Sequence, residues 1–184
     1  MADLLQALGE SFDHTEEVLR GVGPEDFDKP TPCPDWDVRA LLSHFVGVVV
    51  NMGRGAGGEG LRAPDEAFTV GDDLAGRFRA EADRTLAAWR EQGLEGEVDV
   101  GAGPMPASLA IGVNLVDTST HTWDVAKATG QRTELPGDLA TTVLEVAQGF
   151  VPDLRDVVGI APPVPVGDDA SPTDRLVAFM GRQP

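Results

Sequence analysis

Cysteine, tyrosine and lysine are scarce in this 184-residue sequence. It has one cysteine, Cys33, no tyrosine, and only two lysines, Lys29 and Lys127. A single cysteine excludes an internal disulfide bond and fits a reducing compartment. The sequence also lacks any apolar run of about 18 residues, the length that a membrane span needs. Because its N-terminus lacks the basic start and the apolar stretch of a secretory signal, we expect a cytoplasmic protein.

Positive charge is in short supply as well, with 14 lysines and arginines against 31 aspartates and glutamates. The resulting formal net charge of -17 repels phosphate backbones and anionic lipid surfaces. We therefore expect no nucleic acid and no membrane as a partner. The acidic residues are spread along the chain, which is typical of solvated helix faces.

Hydrophobic residues recur at helical spacing along most of the chain, so the sequence predicts an all-α fold. Segment 29–34 contains three prolines, which fix an extended approach to a helix capped by Asp35. Residues 53–60 are rich in glycine and predict a loop, whereas 97–106 fit a small strand or an extended loop. The predicted helices cover residues 2–22, 35–52, 72–92, 107–129 and 138–158, with a short helix after Ser171. With no internal repeat and no long linker, these elements indicate a single domain, 1–184, built as a helical bundle.

Two residues of the fourth predicted helix, Asp117 and His121, are the first candidates for a functional site. Their i, i+4 spacing puts both side chains on one helix face, roughly 6 Å apart along the axis. Asp117 follows a strongly apolar stretch, and an isolated buried carboxylate needs a compensating partner. That partner is either a metal ion or His121 itself in an ion pair. Alternatively, Asp117 faces solvent and needs no partner. The spacing alone does not decide between these three readings.

A third candidate ligand, His44, lies on an apolar face of the second predicted helix. On its own it is either a core histidine with a local hydrogen bond or a metal ligand. Two imidazoles and one carboxylate form a common metal site that leaves coordination positions open for water or substrate. Zinc fits this ligand set, and nickel and ferrous iron fit it too.

Three further polar residues have simpler interpretations. Asp124 either hydrogen-bonds His121 as a supporting residue or, in the reading we prefer, pairs with Lys127 or faces solvent. Cys33 is expected to be structural, packed beneath the start of the second helix, so that Cys33→Ser should leave the metal content unchanged. His14 is expected on the surface of the first helix.

Two sequence motifs resemble those of a known protein family. The stretch TPCPDWDVRALLSHFVG, residues 31–47, is similar to the TPCxxWxVRxLLxHxxG element of actinobacterial DinB-like metal-binding proteins. HTWDVAKATG, residues 121–130, resembles their HxWDxAxATG element, and the ending DRLVAFMGR, residues 174–182, also resembles theirs. The family is related to the N-terminal domain of mycothiol-dependent maleylpyruvate isomerase, and the resemblance extends over nearly the whole chain.

The resemblance implies a DinB-like four-helix bundle with additional short C-terminal helices. It also implies a divalent metal held by a histidine of the second helix and by an acidic-x-x-x-His pair of a later helix, here His44, Asp117 and His121. The acidic ligand is usually glutamate in the family, and the side chain of Asp117 is shorter. Asp117 therefore binds the metal either directly or through a water molecule, and both possibilities stay open. We expect no counterpart of the isomerase's separate C-terminal domain, and maleylpyruvate isomerisation itself is therefore not implied.

The function expected from the residues and the resemblance is metal-dependent thiol transfer or isomerisation, with mycothiol as the thiol and a small electrophile as the substrate. Two alternatives stay open, namely a metal-dependent hydrolase with a bound water as nucleophile and a non-catalytic protein that binds a metal or a ligand. No catalytic residue beyond the ligands is identified. The expected partners are a small-molecule substrate or thiol, and the sequence leaves a homodimer open.

Overall fold

Helices dominate the computed structural model, which describes residues 3–184. The α-helices are α1 Leu4–Arg20, α2 Val38–Ala56, α3 Pro64–Ala67, α4 Leu74–Gln92, α5 Ala107–Thr129, α6 Leu139–Gln148, α7 Val151–Val158 and α8 Pro172–Phe179. A short antiparallel hairpin, β1 Glu97–Asp99 and β2 Pro104–Pro106, precedes α5, and one 3-10 turn covers Pro24–Asp26. The predicted all-α class is confirmed, and segment 97–106 is a small hairpin.

The four long helices α1, α2, α4 and α5 pack as a bundle, in which α1 and α2 each contact both α4 and α5. Aromatic side chains fill its centre, where Phe12 meets Phe78 edge to face at a centroid distance of 5.9 Å. Phe45 of α2 and Trp89 of α4 are also completely buried. Because burial of apolar surface drives folding, this aromatic core stabilises the bundle independently of any bound group. Helices α6 and α8 pack on each other beside α5 and α1.

Polar residues on α5 fix its rotation within the bundle. The hydroxyl of Ser119 hydrogen-bonds Ser11 of α1 at 2.8 Å, and that of Thr122 hydrogen-bonds Thr15 at 2.7 Å. On the α4 side, the indole of Trp89 donates to Asn114 at 3.1 Å. Buried polar groups must be paired, so these bonds specify which face of α5 meets α1 and α4. The remaining face, with Asp117 and His121, is directed towards α2 and the C-terminal segment.

Two predicted helix boundaries are wrong at α2. The helix begins at Val38 with Asp37 as its cap, because Asp37 rather than Asp35 accepts the Ala40 amide at 2.8 Å. At its other end α2 continues to Ala56, through residues predicted to form a glycine-rich loop. Glycine there permits close packing, since a Cβ at Gly53 would lie 2.9 Å from the Thr85 Cα on α4.

The predicted helix 138–158 is two helices in the structure. Helix α6 ends at Gln148, and α7 starts at Val151 with Pro152 in its first turn, where a missing amide costs nothing. The break turns α7 away from α6, so that α7 forms one wall of the pocket described below. Within residues 3–184, the helices are too short or too polar to cross a lipid bilayer.

Candidate metal centre

Helices α2 and α5 bring His44, Asp117 and His121 together. Asp117 and His121 share a face of α5, and the His121 Nε2 lies 3.5 Å from the Asp117 Oδ1. His44 reaches the same point from α2, so that one donor atom of each residue lies within 4.8 Å of the other two. The structure therefore assembles all three side chains that the sequence and the family resemblance had grouped.

The extended segment before α2 positions His44. Trp36 stacks on the imidazole with ring centroids 4.3 Å apart, tilted by 37°. The segment is held in turn by the hydroxyl of Thr31, which donates to the Trp36 carbonyl at 2.8 Å, and by a backbone bridge between Pro30 and Asp37. The three prolines thus shape a rigid approach that sets the ring of Trp36 against that of His44.

Asp124 supports His121 from behind. The Nδ1 of His121 lies 3.0 Å from the Asp124 Oδ2, and Asp124 is 0% exposed. The preferred reading, in which Asp124 pairs with Lys127 or faces solvent, is wrong, because the Lys127 ammonium lies instead over the Trp123 ring at 5.3 Å. A carboxylate that accepts from one ring nitrogen fixes the tautomer and leaves the Nε2 lone pair free for a metal.

Arg182, which sequence reasoning missed, neutralises Asp124. Its Nη2 and Nε donate to the two oxygens of Asp124 at 2.9 and 3.2 Å, and its Nη1 donates to the Met180 carbonyl at 2.8 Å. The two ionic partners lie 58 positions apart in the chain. No local periodicity signals such a pair; the only hint was the family-like ending in which Arg182 stands.

Cys33 lies at the site and not beneath the start of α2, so that part of the prediction is wrong. Its Sγ is 3.3 Å from the Asp124 Oδ2, to which the thiol donates, and it accepts from the Arg182 Nη2 at 3.3 Å. The half-buried thiol also lines the pocket. Cys33 thus contacts the residues that support His121. Retention of the metal by Cys33→Ser stays a prediction.

The charges around His121 change its protonation in the metal-free protein. Burial by itself lowers the pKa of His121, but the carboxylates of Asp117 and Asp124, with the hydrogen bond to Cys33, raise it to about 10. Burial also lowers the pKa of His44, where Asp117 and His121 have opposing effects. Burial raises the pKa of Asp124, yet hydrogen bonds from His121 and Arg182 outweigh it and hold the pKa below its ordinary value.

The donor set fits a divalent metal ion. Among residues 3–184, the Asp117 Oδ2 is one of three buried side-chain polar atoms without a hydrogen-bond partner. Leaving a buried carboxylate oxygen unpaired is costly, and a cation bound beside it removes that cost. Two imidazole nitrogens and one carboxylate are ligands that zinc, nickel and ferrous iron accept.

A pocket of about 690 Å³ opens onto the three side chains. One side consists of the Pro32–Trp36 segment, and the other consists of α7 and the residues that follow it. Its volume lies within the range of small-molecule sites. A metal held here would therefore keep positions that face a ligand-sized space.

Comparison with known proteins identifies the family of the chain. Residues 8–126 match the family described as the mycothiol maleylpyruvate isomerase N-terminal domain. The chain belongs to this family. The matched range includes all three candidate ligands and Asp124, whereas Arg182 lies beyond it.

Two relatives of this family member come from strains of Mycobacterium tuberculosis, and both are described as uncharacterized proteins. Each is 31% identical to the chain over 183 residues, which cover 98% of this chain and 98% of the relative. The crystal structure of mycothiol-dependent maleylpyruvate isomerase matches with a TM-score of 0.60 and 19% identity, covering 82% of this chain and 71% of that one. A histidine-to-alanine mutant of that isomerase matches equally well. At this identity the match shows a shared fold, and it confirms the predicted DinB-like bundle.

Proposed function

We propose that this protein is a metal-dependent enzyme that uses a low-molecular-weight thiol, mycothiol, on a small electrophile. The observation that carries the proposal is the convergence of His44, Asp117 and His121, within 4.8 Å of one another, at a ligand-sized pocket. The family and the isomerase of the same fold are both named for mycothiol, which supports this thiol as the co-substrate.

In this proposal His44, Asp117 and His121 hold the metal, with zinc the ion that suits them best. A divalent metal at this position would lower the pKa of a bound thiol and so supply a thiolate at neutral pH. Asp124 orients His121 through the Nδ1 proton, and Arg182 keeps Asp124 ionised. Trp36 restricts the ring of His44.

The reaction class is addition of the thiol to a conjugated carbon–carbon double bond. The sulfur forms a bond to the β-carbon, the electron pair of the double bond moves towards the carbonyl oxygen, and the thiol proton passes to solvent. If a proton then adds at the α-carbon, the product is a thioether and the activity is a transferase. If the sulfur leaves again after rotation about the former double bond, the activity is an isomerase.

Metal content and thiol binding together test the proposal. The purified protein should hold one metal per chain, and His44→Ala and His121→Ala should each lose it, because two ligands bind too weakly. Asp117→Asn should weaken binding, since an amide is a poorer ligand than a carboxylate. His14→Ala is the matched control, because His14 is located beside Glu17 and Arg132, away from the centre, and should keep the metal.

Cobalt-substituted protein reports on the thiol. Mycothiol should change its visible absorption by forming a cobalt–sulfur bond, and a variant that lacks metal should show no change. A metal that stays bound in both histidine variants would overturn the ligand assignment. If mycothiol does not change the spectrum of the cobalt protein, the proposal of a thiol-dependent enzyme is wrong. A hydrolase or a non-catalytic binding protein would then be the remaining alternatives.

A further inference from the structure

Most of the pocket wall is apolar. The side opposite Trp36 is built by Phe150, Leu154, Val158 and Ile160, from α7 and the residues that flank it. Helix α5 adds Val113 and Val116 beside the candidate ligands. Val158 is 60% exposed and stands at the pocket edge. An apolar wall of this kind gains most from covering an apolar ligand surface.

Positive charge is not available for an anionic ligand. Arg182 is the one lysine or arginine that lines the pocket within residues 3–184. Its guanidinium donates to both oxygens of Asp124, to the Met180 carbonyl and to the Cys33 sulfur, which uses four of its five N–H groups. It therefore has neither the free charge nor the paired donors that bind a carboxylate.

The charge at the centre also balances without an anionic substrate. A divalent ion offsets the carboxylate of Asp117 and leaves one positive charge, which a bound thiolate removes. Asp35 adds a negative charge to the lining, and the whole chain carries a net charge of -17. A dicarboxylate entering this pocket would meet repulsion without compensation.

Besides the Asp117 Oδ2, a second buried polar atom of the pocket lining lacks a hydrogen-bond partner among the residues that the structure describes. Thr120 is 2% exposed, and its hydroxyl has no hydrogen-bond partner in the described part of the chain. It lies one position before His121, on the helix that carries two candidate ligands. Because its oxygen is itself buried, this hydroxyl must turn towards the pocket to donate, and one such donor fits the single carbonyl oxygen of a conjugated ketone or ester.

We propose that the electrophile is an uncharged apolar molecule with one conjugated carbonyl, recognised by the α7 wall and by Thr120. This inference rests on the proposed function and specifies its substrate class. The α7 wall is the specificity determinant, and a dicarboxylate is not the substrate of this pocket. The bonds formed and broken in the addition are those described under the proposed function, and the thiol is the only co-reactant.

Equilibrium binding of an uncharged probe tests the wall without turnover. N-phenyl-1-naphthylamine should bind zinc-loaded protein with increased fluorescence, and maleate should not displace it. Val158→Asp should weaken binding about tenfold or more, because a carboxylate is placed against the apolar ligand. Val157→Asp is the matched control: Val157 neighbours Val158 on α7 and is 79% exposed, but it is not part of the lining, so binding should stay unchanged.

A second arm tests Thr120. Benzylideneacetone, an uncharged conjugated ketone, should displace the probe, and Thr120→Val should weaken this competitor several-fold while the probe itself binds as before. If Val158→Asp and Val157→Asp lose probe binding equally, or if maleate displaces the probe, the α7 wall is not the specificity determinant. Unchanged competition in Thr120→Val would overturn the carbonyl contact. Because zinc content and cobalt–thiol spectra are measured on the same proteins, failure of the specificity inference is distinguishable from failure of the proposed function.

Discussion

His121 presents each of its ring nitrogens to a carboxylate. Nε2 faces Asp117 at 3.5 Å, and Nδ1 faces Asp124 at 3.0 Å. In the metal-free protein these contacts favour an imidazolium, whereas ligation requires a neutral ring with Nε2 unprotonated. If the proposed metal binds, the same side chain changes from a cation to a neutral ligand. Asp124 can accept the Nδ1 proton in either state, so its hydrogen bond to His121 need not change on metal binding.

Metal binding should release a proton from His121. Its pKa of about 10 means that it is protonated at neutral pH in the metal-free protein, whereas His44, with its lowered pKa, is neutral. We expect about one proton released per metal near pH 8, and an apparent affinity that rises about tenfold per pH unit up to the pKa of His121. Calorimetry in buffers of different ionisation enthalpy measures the proton number. Release of no proton would contradict a protonated His121.

Asp124→Asn should weaken metal binding about 10- to 100-fold, because the amide no longer fixes the His121 tautomer or raises its basicity. The substitution also leaves Arg182 without its bidentate partner, so the free energy of unfolding should fall. Replacing both residues by leucine should restore most of the stability, but not the affinity. Metal titration and urea denaturation of the two variants and the wild type separate these effects. An unchanged affinity in Asp124→Asn would mean that it does not orient the ligand.

Among the elements, α2 depends on glycines that permit close packing. A Cβ at Gly47 would collide with the backbone carbonyl of Pro64 in α3, whereas a Cβ at Gly9 of α1 would make an ordinary contact with Leu86 at 3.5 Å. Both glycines are inside helices, so both alanine variants gain about 1 kcal/mol from helix propensity.

Gly9→Ala should therefore be stabilised, while Gly47→Ala should lose about 1–3 kcal/mol net of that gain, because α3 must move. Urea unfolding of the two variants gives the comparison, with the wild type as reference. Equal stabilisation of both would show that α3 does not pack on α2 as described.

The elements also show what the sequence can predict. Helix α5 has the predicted bounds, because Gly130 ends it in a left-handed conformation at φ 72°. The start of α2 was misjudged because tertiary bonds choose between two aspartates: the amides of Val38 and Arg39 donate to the carbonyls of Lys29 and Phe27. No local pattern contains that choice. Gly149 and Pro152 mark the break between α6 and α7 in the sequence, but the prediction gave more weight to the apolar residues Ala147, Phe150 and Val151 around them.

The candidate site was predictable to a similar degree. Helical spacing pairs Asp117 with His121, and the family motif adds His44. The bond of Asp124 to His121 was one of two readings of the sequence, since residues three apart share a helix face. The role of Arg182 was not predictable, because it depends on α8 and the turn after it packing beside α5. The periodicity of apolar residues describes one helix at a time, whereas the ion pair between Asp124 and Arg182 joins two segments that are distant in the sequence.

At the scale of the whole molecule, we expect helix packing to be independent of metal binding. The bundle core is apolar and aromatic, and the candidate ligands lie at its edge beside the pocket. Removal of metal with a chelator should therefore leave the helical circular dichroism unchanged. At a free metal concentration 100 times Kd, binding should add about 2.7 kcal/mol and raise Tm by about 5–10 °C. Loss of helix on chelation would make the metal structural.

The arginine that follows α8 has a consequence for the order in which the site is made. A chain emerges from the ribosome N-terminal end first, so His44, Asp117 and His121 leave it before Arg182 does. Until then Asp124 has no guanidinium beside it, and His121 is held by an uncompensated carboxylate. The nascent chain therefore carries the ligands without their finished support. A metal bound by these ligands would meet the complete site only after α8 and Arg182 have docked beside α5.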